Sequence, residues 1–142
     1  MNILMDKFHS KGLVILGFPC NQFGHQENCK NKEILSLLKY VRPGNGFEPK
    51  IEMFEKINVN GEDSHPLFHF LKSKLPLPHD ESMDGELVSN ALRLIWKPIR
   101  RNDIRWNFEK FLVDKNGEPY RRYGKSFPTI DLSSDVEQLL QD

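Results

Sequence analysis

An α/β layered domain is the architecture this sequence predicts, and three observations predict it. Met1, Leu4, Met5 and Phe8 recur at i, i+3, i+4 and i+7, the stripe of an amphipathic helix. Leu13-Val14-Ile15-Leu16-Gly17-Phe18 is an apolar run without alternation, the pattern of a strand covered on both faces in a parallel or mixed sheet. Ile34, Leu37, Leu38 and Val41 then repeat the helical stripe. Helix, buried strand, helix is the order in which helices are layered onto a sheet.

Each element has its punctuation. The first helix begins at residue 1 without room for a capping residue, and Gly12 closes it. Pro19 ends the strand, and Asn28 or Asn31 is positioned to cap the second helix. Arg42-Pro43-Gly44-Asn45-Gly46 is loop chemistry. Residues 51 to 59 can form a strand, followed by an Asn60-Gly61 turn. Pro66 suits the first turn of a helix running to about Leu75, with Leu67, Phe68 and Leu71 inward. Residues 76 to 92 form a long polar connection of the kind that is usually functional or interfacial. A hairpin follows, with strands near 107 to 113 and 119 to 123 around Asp114-Lys115-Asn116-Gly117. Ser134 and Glu137 make a capping box for a last helix carrying Val136, Leu139 and Leu140.

Composition narrows the function classes. With 142 residues, 38% of them hydrophobic, the chain fits one soluble domain. Its 20 basic residues balance 20 acidic ones, which argues against nucleic acid as a partner, since that leaves a basic excess. No apolar run is long enough to span a bilayer, and no secretory leader is visible. Two cysteines, Cys20 and Cys29, make no disulfide framework, so a reducing compartment, the cytoplasm, is expected. The histidines show no metal-ligand pairing, and His65 and His69 lack the glutamate of a metalloprotease helix, so no metal is expected. Arg100-Arg101 and Arg121-Arg122 read as solvated charge pairs that add positive potential beside a site.

The chemistry concentrates in two places. Gly17-Phe18-Pro19-Cys20-Asn21-Gln22-Phe23-Gly24 leaves a strand for a loop, and ligands of open α/β sheets bind at the carboxyl ends of strands. Trp106-Asn107-Phe108 stands at the mouth of the hairpin. The indole of Trp106 is a donor only, and the amides of Gln22 and Asn107 add donors. Together they would stabilise an anion without titrating. Taken by spacing alone, a strand-end tryptophan is more often core packing.

Three motifs go further: Gly-Phe-Pro-Cys-Asn-Gln-Phe-Gly-His-Gln-Glu-Asn at 17 to 28, Lys-Tyr-Val-Arg-Pro-Gly at 39 to 44, and Trp-Asn-Phe-Glu-Lys-Phe-Leu-Val at 106 to 113. In order and spacing they closely resemble glutathione peroxidase, and the likeness runs the length of the chain. The loop at 42 to 49 and the segment at 79 to 95 resemble the tetrameric, cytosolic class. The resemblance implies a thioredoxin-like fold and the reduction of hydrogen peroxide and organic hydroperoxides by glutathione, in defence against oxidative stress. In that family a selenocysteine or cysteine attacks the peroxide O–O bond, becomes selenenic or sulfenic acid, and is returned by two glutathione molecules. The partners that hold the chalcogen ionised match Gln22, Trp106 and Asn107 here. The cations that receive the glutathione carboxylates match Arg42 and Lys125, with Lys30 reaching in from a neighbouring subunit of a homo-oligomer. Many relatives carry arginine at 125 or 126, whereas this chain has Lys125 and Ser126, which keeps the charge and loses the bidentate fork. No cofactor beyond glutathione as co-substrate is implied.

The resemblance also places the peroxidatic residue and a central strand before Met1. Residues 1 to 142 would then be a single thioredoxin-like domain, incomplete at its N-terminus: a truncated three-layer sandwich, as from a reading frame restarted after a selenocysteine codon. Little peroxidase activity is expected of such a chain alone. A second reading is a non-catalytic thioredoxin-like fragment that binds intact subunits. A third, a thiol oxidoreductase using Cys20, competes with the ordinary behaviour of a buried structural thiol. Cys29, at a helix start, is expected to have its pKa lowered by the helix dipole.

Overall fold

A computed structural model describes residues 1–80 and 94–141. The long connection expected at 76 to 92 therefore lies largely outside the described residues. Two compact units emerge, each assembled from separated stretches of chain: Met1–Pro19, Glu27–Lys56 and Thr129–Asp142 form the first, Cys20–Gln26 and Ile57–Pro128 the second.

In the first unit, helix α1 (Asn2–Phe8) buries Leu4, Met5 and Phe8, as its stripe dictates. A single 3-10 turn extends it to Gly12, whose φ of 111° is left-handed and suits glycine. The C-terminal helix α4 (Ser133–Gln141) buries Val136 and carries Glu137, which pairs with Lys7 of α1 at 2.9 Å. That pairing replaces the expected capping box: a 3-10 turn over Thr129–Leu132 already leads into the helix, so Ser134 lies within it. The hydroxyl of Ser133 donates to the Ile130 carbonyl instead.

Strand β1 (Leu16–Gly17) pairs in parallel with β2 (Glu52–Met53). Gly17 packs closely there: a Cβ would come within 2.9 Å of both Ile51 Cδ1 and Met53 Sδ, so those two side-chain ends would have to shift. The expectation of a strand covered on both faces fails: Val14 is 58% exposed and Leu16 49%. The reason is that β1 has a single hydrogen-bonded neighbour among the described residues, and nothing within its unit shields the side carrying Val14 and Leu16. Helix α2 (Ile34–Tyr40) follows a 3-10 turn at Asn31–Glu33. Neither asparagine caps it. The Glu33 carboxylate accepts from the Lys30 backbone N–H at 2.7 Å, while Asn31 Oδ1 accepts from the backbone of Lys56. Of its stripe, Ile34 is fully buried and Val41 is 71% exposed.

The second unit holds helix α3 (Pro66–Lys74) and an antiparallel hairpin, β3 (Lys110–Val113) and β4 (Pro119–Tyr123). Pro66 opens α3 as expected, and His65 Nδ1 accepts from the Leu67 N–H at 3.2 Å. Phe68 and Leu71 face inward, and so does Lys72, which the sequence pattern did not foresee. In the hairpin turn, Asp114 Oδ1 accepts from the N–H groups of Asn116 and Glu118. The first strand starts three residues later than expected, because Phe108 takes a φ of 66° and breaks the extended run. Arg122 is not a solvated charge: it is 1% exposed and clasps Glu109 at 2.7 Å.

Candidate active site

The second unit brings residues 20–26 and 104–107 together. Phe23 is buried, its ring tilted against Trp106 at 5.9 Å and edge-on to Trp96 at 5.7 Å. Gly24, with φ 67°, lets the chain pass the indole so closely that a Cβ would lie 3.4 Å from Trp106 Cη2. Across 81 residues of sequence, Asn107 Nδ2 donates to Gln26 Oε1 at 3.1 Å. Packing and a hydrogen bond thus pin the Gln22 loop beside the Trp106 loop.

Gln22 is 6% exposed and turned onto the backbone of Val59 and Asn60. Its Oε1 accepts from both N–H groups, at 2.9 and 3.0 Å, and its Nε2 donates to the Asn60 carbonyl at 2.9 Å. No hydrogen bond joins Gln22, Trp106 and Asn107 to one another among the described residues. What each retains is a donor: the Trp106 indole N–H, and one N–H on each of the two amides, have no partner among the described residues. Trp106 and Asn107 are half-buried.

Behind this surface lies a polar network that sequence reasoning missed. Asn60 is 1% exposed, and its side chain takes both backbone groups of Ile104: Nδ2 donates to the carbonyl at 2.8 Å and Oδ1 accepts from the N–H at 2.9 Å. Lys72 Nζ donates to the Val59 carbonyl at 2.6 Å and to Asn60 Oδ1 at 3.1 Å, and lies 3.5 Å from Asp103. Asp103 in turn accepts from the Trp96 indole and the Arg100 N–H. Burial holds the Lys72 pKa below that of a free lysine, outweighing the opposite pull of Asp103. Read in sequence, Asn60-Gly61 is only a turn signal; its burial comes from tertiary packing.

Neither cysteine is prepared as a nucleophile. Cys20 is 8% exposed and its Sγ donates to Gln22 Oε1 at 3.6 Å, so the sulfur is enclosed rather than presented to a substrate. The expected lowering at Cys29 is reversed. Its thiol donates to Glu27 at 2.7 Å, and that bond, with burial and the carboxylate charge, raises the pKa. The cations expected for glutathione divide between the units: Arg42 and Lys30 in the first, Lys125 in the second. All three are exposed, and their side chains form no ion pair among the described residues.

Comparison with known proteins gives this geometry its context. A family profile described as glutathione peroxidase matches residues 1–72. The chain is 58% identical to glutathione peroxidase 1 of Rattus norvegicus, over 99% of its own length and 69% of that protein's. It is 52% identical to glutathione peroxidase 2 of Homo sapiens, over 99% of its length and 73% of that protein's. Among solved structures it superposes on T. cruzi GPX1 with a TM-score of 0.61 at 26% identity, covering 98% of this chain and 67% of that one. The α/β architecture is therefore the thioredoxin-like one of these peroxidases. With a donor-lined loop pair at the motifs that carry the likeness, and identity sustained from end to end, the chain belongs to the glutathione peroxidase family of peroxide-reducing oxidoreductases.

Proposed function

We propose that Gln22, Trp106 and Asn107 form the anion-stabilising wall of a peroxidase centre in this chain. The observation that carries the reading is the pinning of two distant loops so that three neutral side chains each keep an N–H without a partner among the described residues. A sulfur or selenium anion set against them would gain hydrogen bonds that strengthen as water is excluded, which lowers the chalcogen pKa and keeps the nucleophile ionised. Neutral donors suit this task, since they hold their hydrogens across the working pH range. Gln22 contributes as a fixed rear donor, its amide oriented by the Val59 and Asn60 backbone.

Glutathione is the reductant in this reading, with its carboxylates drawn to the exposed cations Arg42, Lys125 and Lys30, and Lys30 acts on a neighbouring subunit of a homo-oligomer. The cytoplasm is the compartment that fits a glutathione-dependent chain whose two cysteines are both free thiols. No helix among the described residues is long and apolar enough to cross a membrane. Because Cys20 is buried and the Cys29 thiol is engaged by Glu27, neither serves as the peroxidatic chalcogen in this reading, and the 142-residue chain assayed alone is expected to turn over peroxide slowly.

Two measurements test the reading. Iodide, a large polarisable monoanion, should quench Trp106 fluorescence more strongly than neutral acrylamide does; Trp96, buried and bonded to Asp103, contributes little. Quenching that follows acrylamide alone, with no anion preference, would sink the donor wall. A glutathione reductase-coupled assay should give low turnover, unchanged in Cys20→Ser; loss of substantial turnover in that variant would move the chemistry to Cys20.

A further inference from the structure

We infer that Asn60 is the positioning residue that holds the two halves of this donor wall in register, with Lys72 fixing its amide. The inference rests on the reading of Gln22, Trp106 and Asn107 as a donor wall. The geometry is two-sided. The main chain of Asn60 grips the Gln22 amide at both ends, and its side chain grips both backbone groups of Ile104, two residues before Trp106. One residue therefore fixes both Gln22 and the start of the Trp106 segment. The amide has no freedom to flip: Oδ1 receives the Ile104 N–H and the Lys72 ammonium, and Nδ2 faces a carbonyl. Lys72 also bonds the Val59 carbonyl, so the Val59-Asn60 peptide that receives Gln22 is held from behind as well.

Asn60 is itself sealed from solvent, so its effect on the site is one of placement. Such a residue acts through the register of the donors, where displacements of about 1 Å alter how well hydrogen bonds meet a developing charge. A leucine of similar bulk would leave the Ile104 backbone groups unpaired. Aspartate would keep the Lys72 contact and the shape but turn the Nδ2 donor into an acceptor facing the Ile104 carbonyl.

The test uses the full chain with Asn60→Asp, Lys72→Met and, as a control, Phe68→Leu, a cavity variant of α3 outside the network. Proton–nitrogen correlation spectra follow the Trp106 indole and the Gln22 side-chain amide, alongside the iodide quenching of Trp106. Asn60→Asp should move both resonances together and weaken iodide quenching about fivefold, the worth of one hydrogen bond. Lys72→Met should move both resonances less far and in the same direction. Phe68→Leu should lower thermal stability and move neither. If Asn60→Asp fails to fold, Lys72→Met alone carries the test. Resonances of Gln22 and Trp106 that stay in place in a folded Asn60 or Lys72 variant, or that move equally in Phe68→Leu, would overturn the inference. Absence of iodide quenching in the unaltered chain would instead count against the donor wall, while the paired resonance shifts would still report the positioning.

Discussion

Replacing Arg122 with methionine should be among the most damaging single changes in the second unit. The guanidinium is 1% exposed and donates to Glu109 Oε2 through Nε at 2.8 Å and Nη2 at 2.7 Å. It also serves four carbonyls: Leu75 at 3.3 Å, Pro76 at 2.9 Å, Asn102 at 3.0 Å and Asp103 at 3.0 Å. Methionine fills most of the volume and satisfies none of these. Breaking a buried ion pair costs about 3–5 kcal/mol, because the surviving charge is stranded. The four carbonyls would add to that, less whatever water entering the vacated space restores, so about 4 kcal/mol is the expected loss. That is a large share of the roughly 5–15 kcal/mol that holds a domain together. Glu109→Gln should cost less, since the arginine keeps its carbonyls, and the double variant should lose less than the sum by about 1–3 kcal/mol. Urea unfolding followed by tryptophan fluorescence measures this, because Trp96 and Trp106 both lie in the second unit. A loss below about 1.5 kcal/mol for Arg122→Met would refute the account of a stranded buried charge.

Further outcomes follow from other contacts. Gly24→Ala forces an L side chain to φ 67° against the Trp106 ring and should cost about 1 kcal/mol, read as a melting point lowered by about 3 °C and a shifted tryptophan emission. Lys72 has its pKa lowered by burial, so the unfolded chain binds more protons than the native one between that lowered pKa and 10.5. Stability should therefore rise with pH across that window, and the rise should flatten in Lys72→Met; an unchanged slope would show that another group titrates. The Cys29 thiol is held protonated chiefly by its bond to Glu27, so Glu27→Gln should speed its alkylation by iodoacetamide at pH 8, and an unaltered rate would contradict that cause.

How much of this was legible in the sequence depended on whether an element's determinants were local. The stripe of α1, Pro66 at the start of α3, and the Asp114-to-Gly117 turn carry their own instructions, and the structure follows them. The long motifs likewise identified the family, which the relatives bear out. Competition between partners was not legible. Asn31 looked like a cap until the Lys56 backbone claimed it, and Glu137 looked like half of a capping box until Lys7 did. Arg122 read as a surface charge and Lys72 carried no signal at all, because nothing nearby in sequence announces the carbonyls and carboxylates that surround them. The same holds for Gln22, whose motif is local but whose clamp is supplied 38 residues away.

The bond between Asn107 and Gln26 closes a loop of 81 residues, and that length dictates timing. Closing a long flexible loop costs entropy that only a finished surrounding structure repays. On a ribosome adding about 5–20 residues each second, the Gln22 stretch emerges roughly 4–16 seconds before its tryptophan partner exists. The proposed donor wall would thus be among the last features to be completed, and in that interval Cys20, buried in the folded chain, would meet the cell as an uncovered thiol.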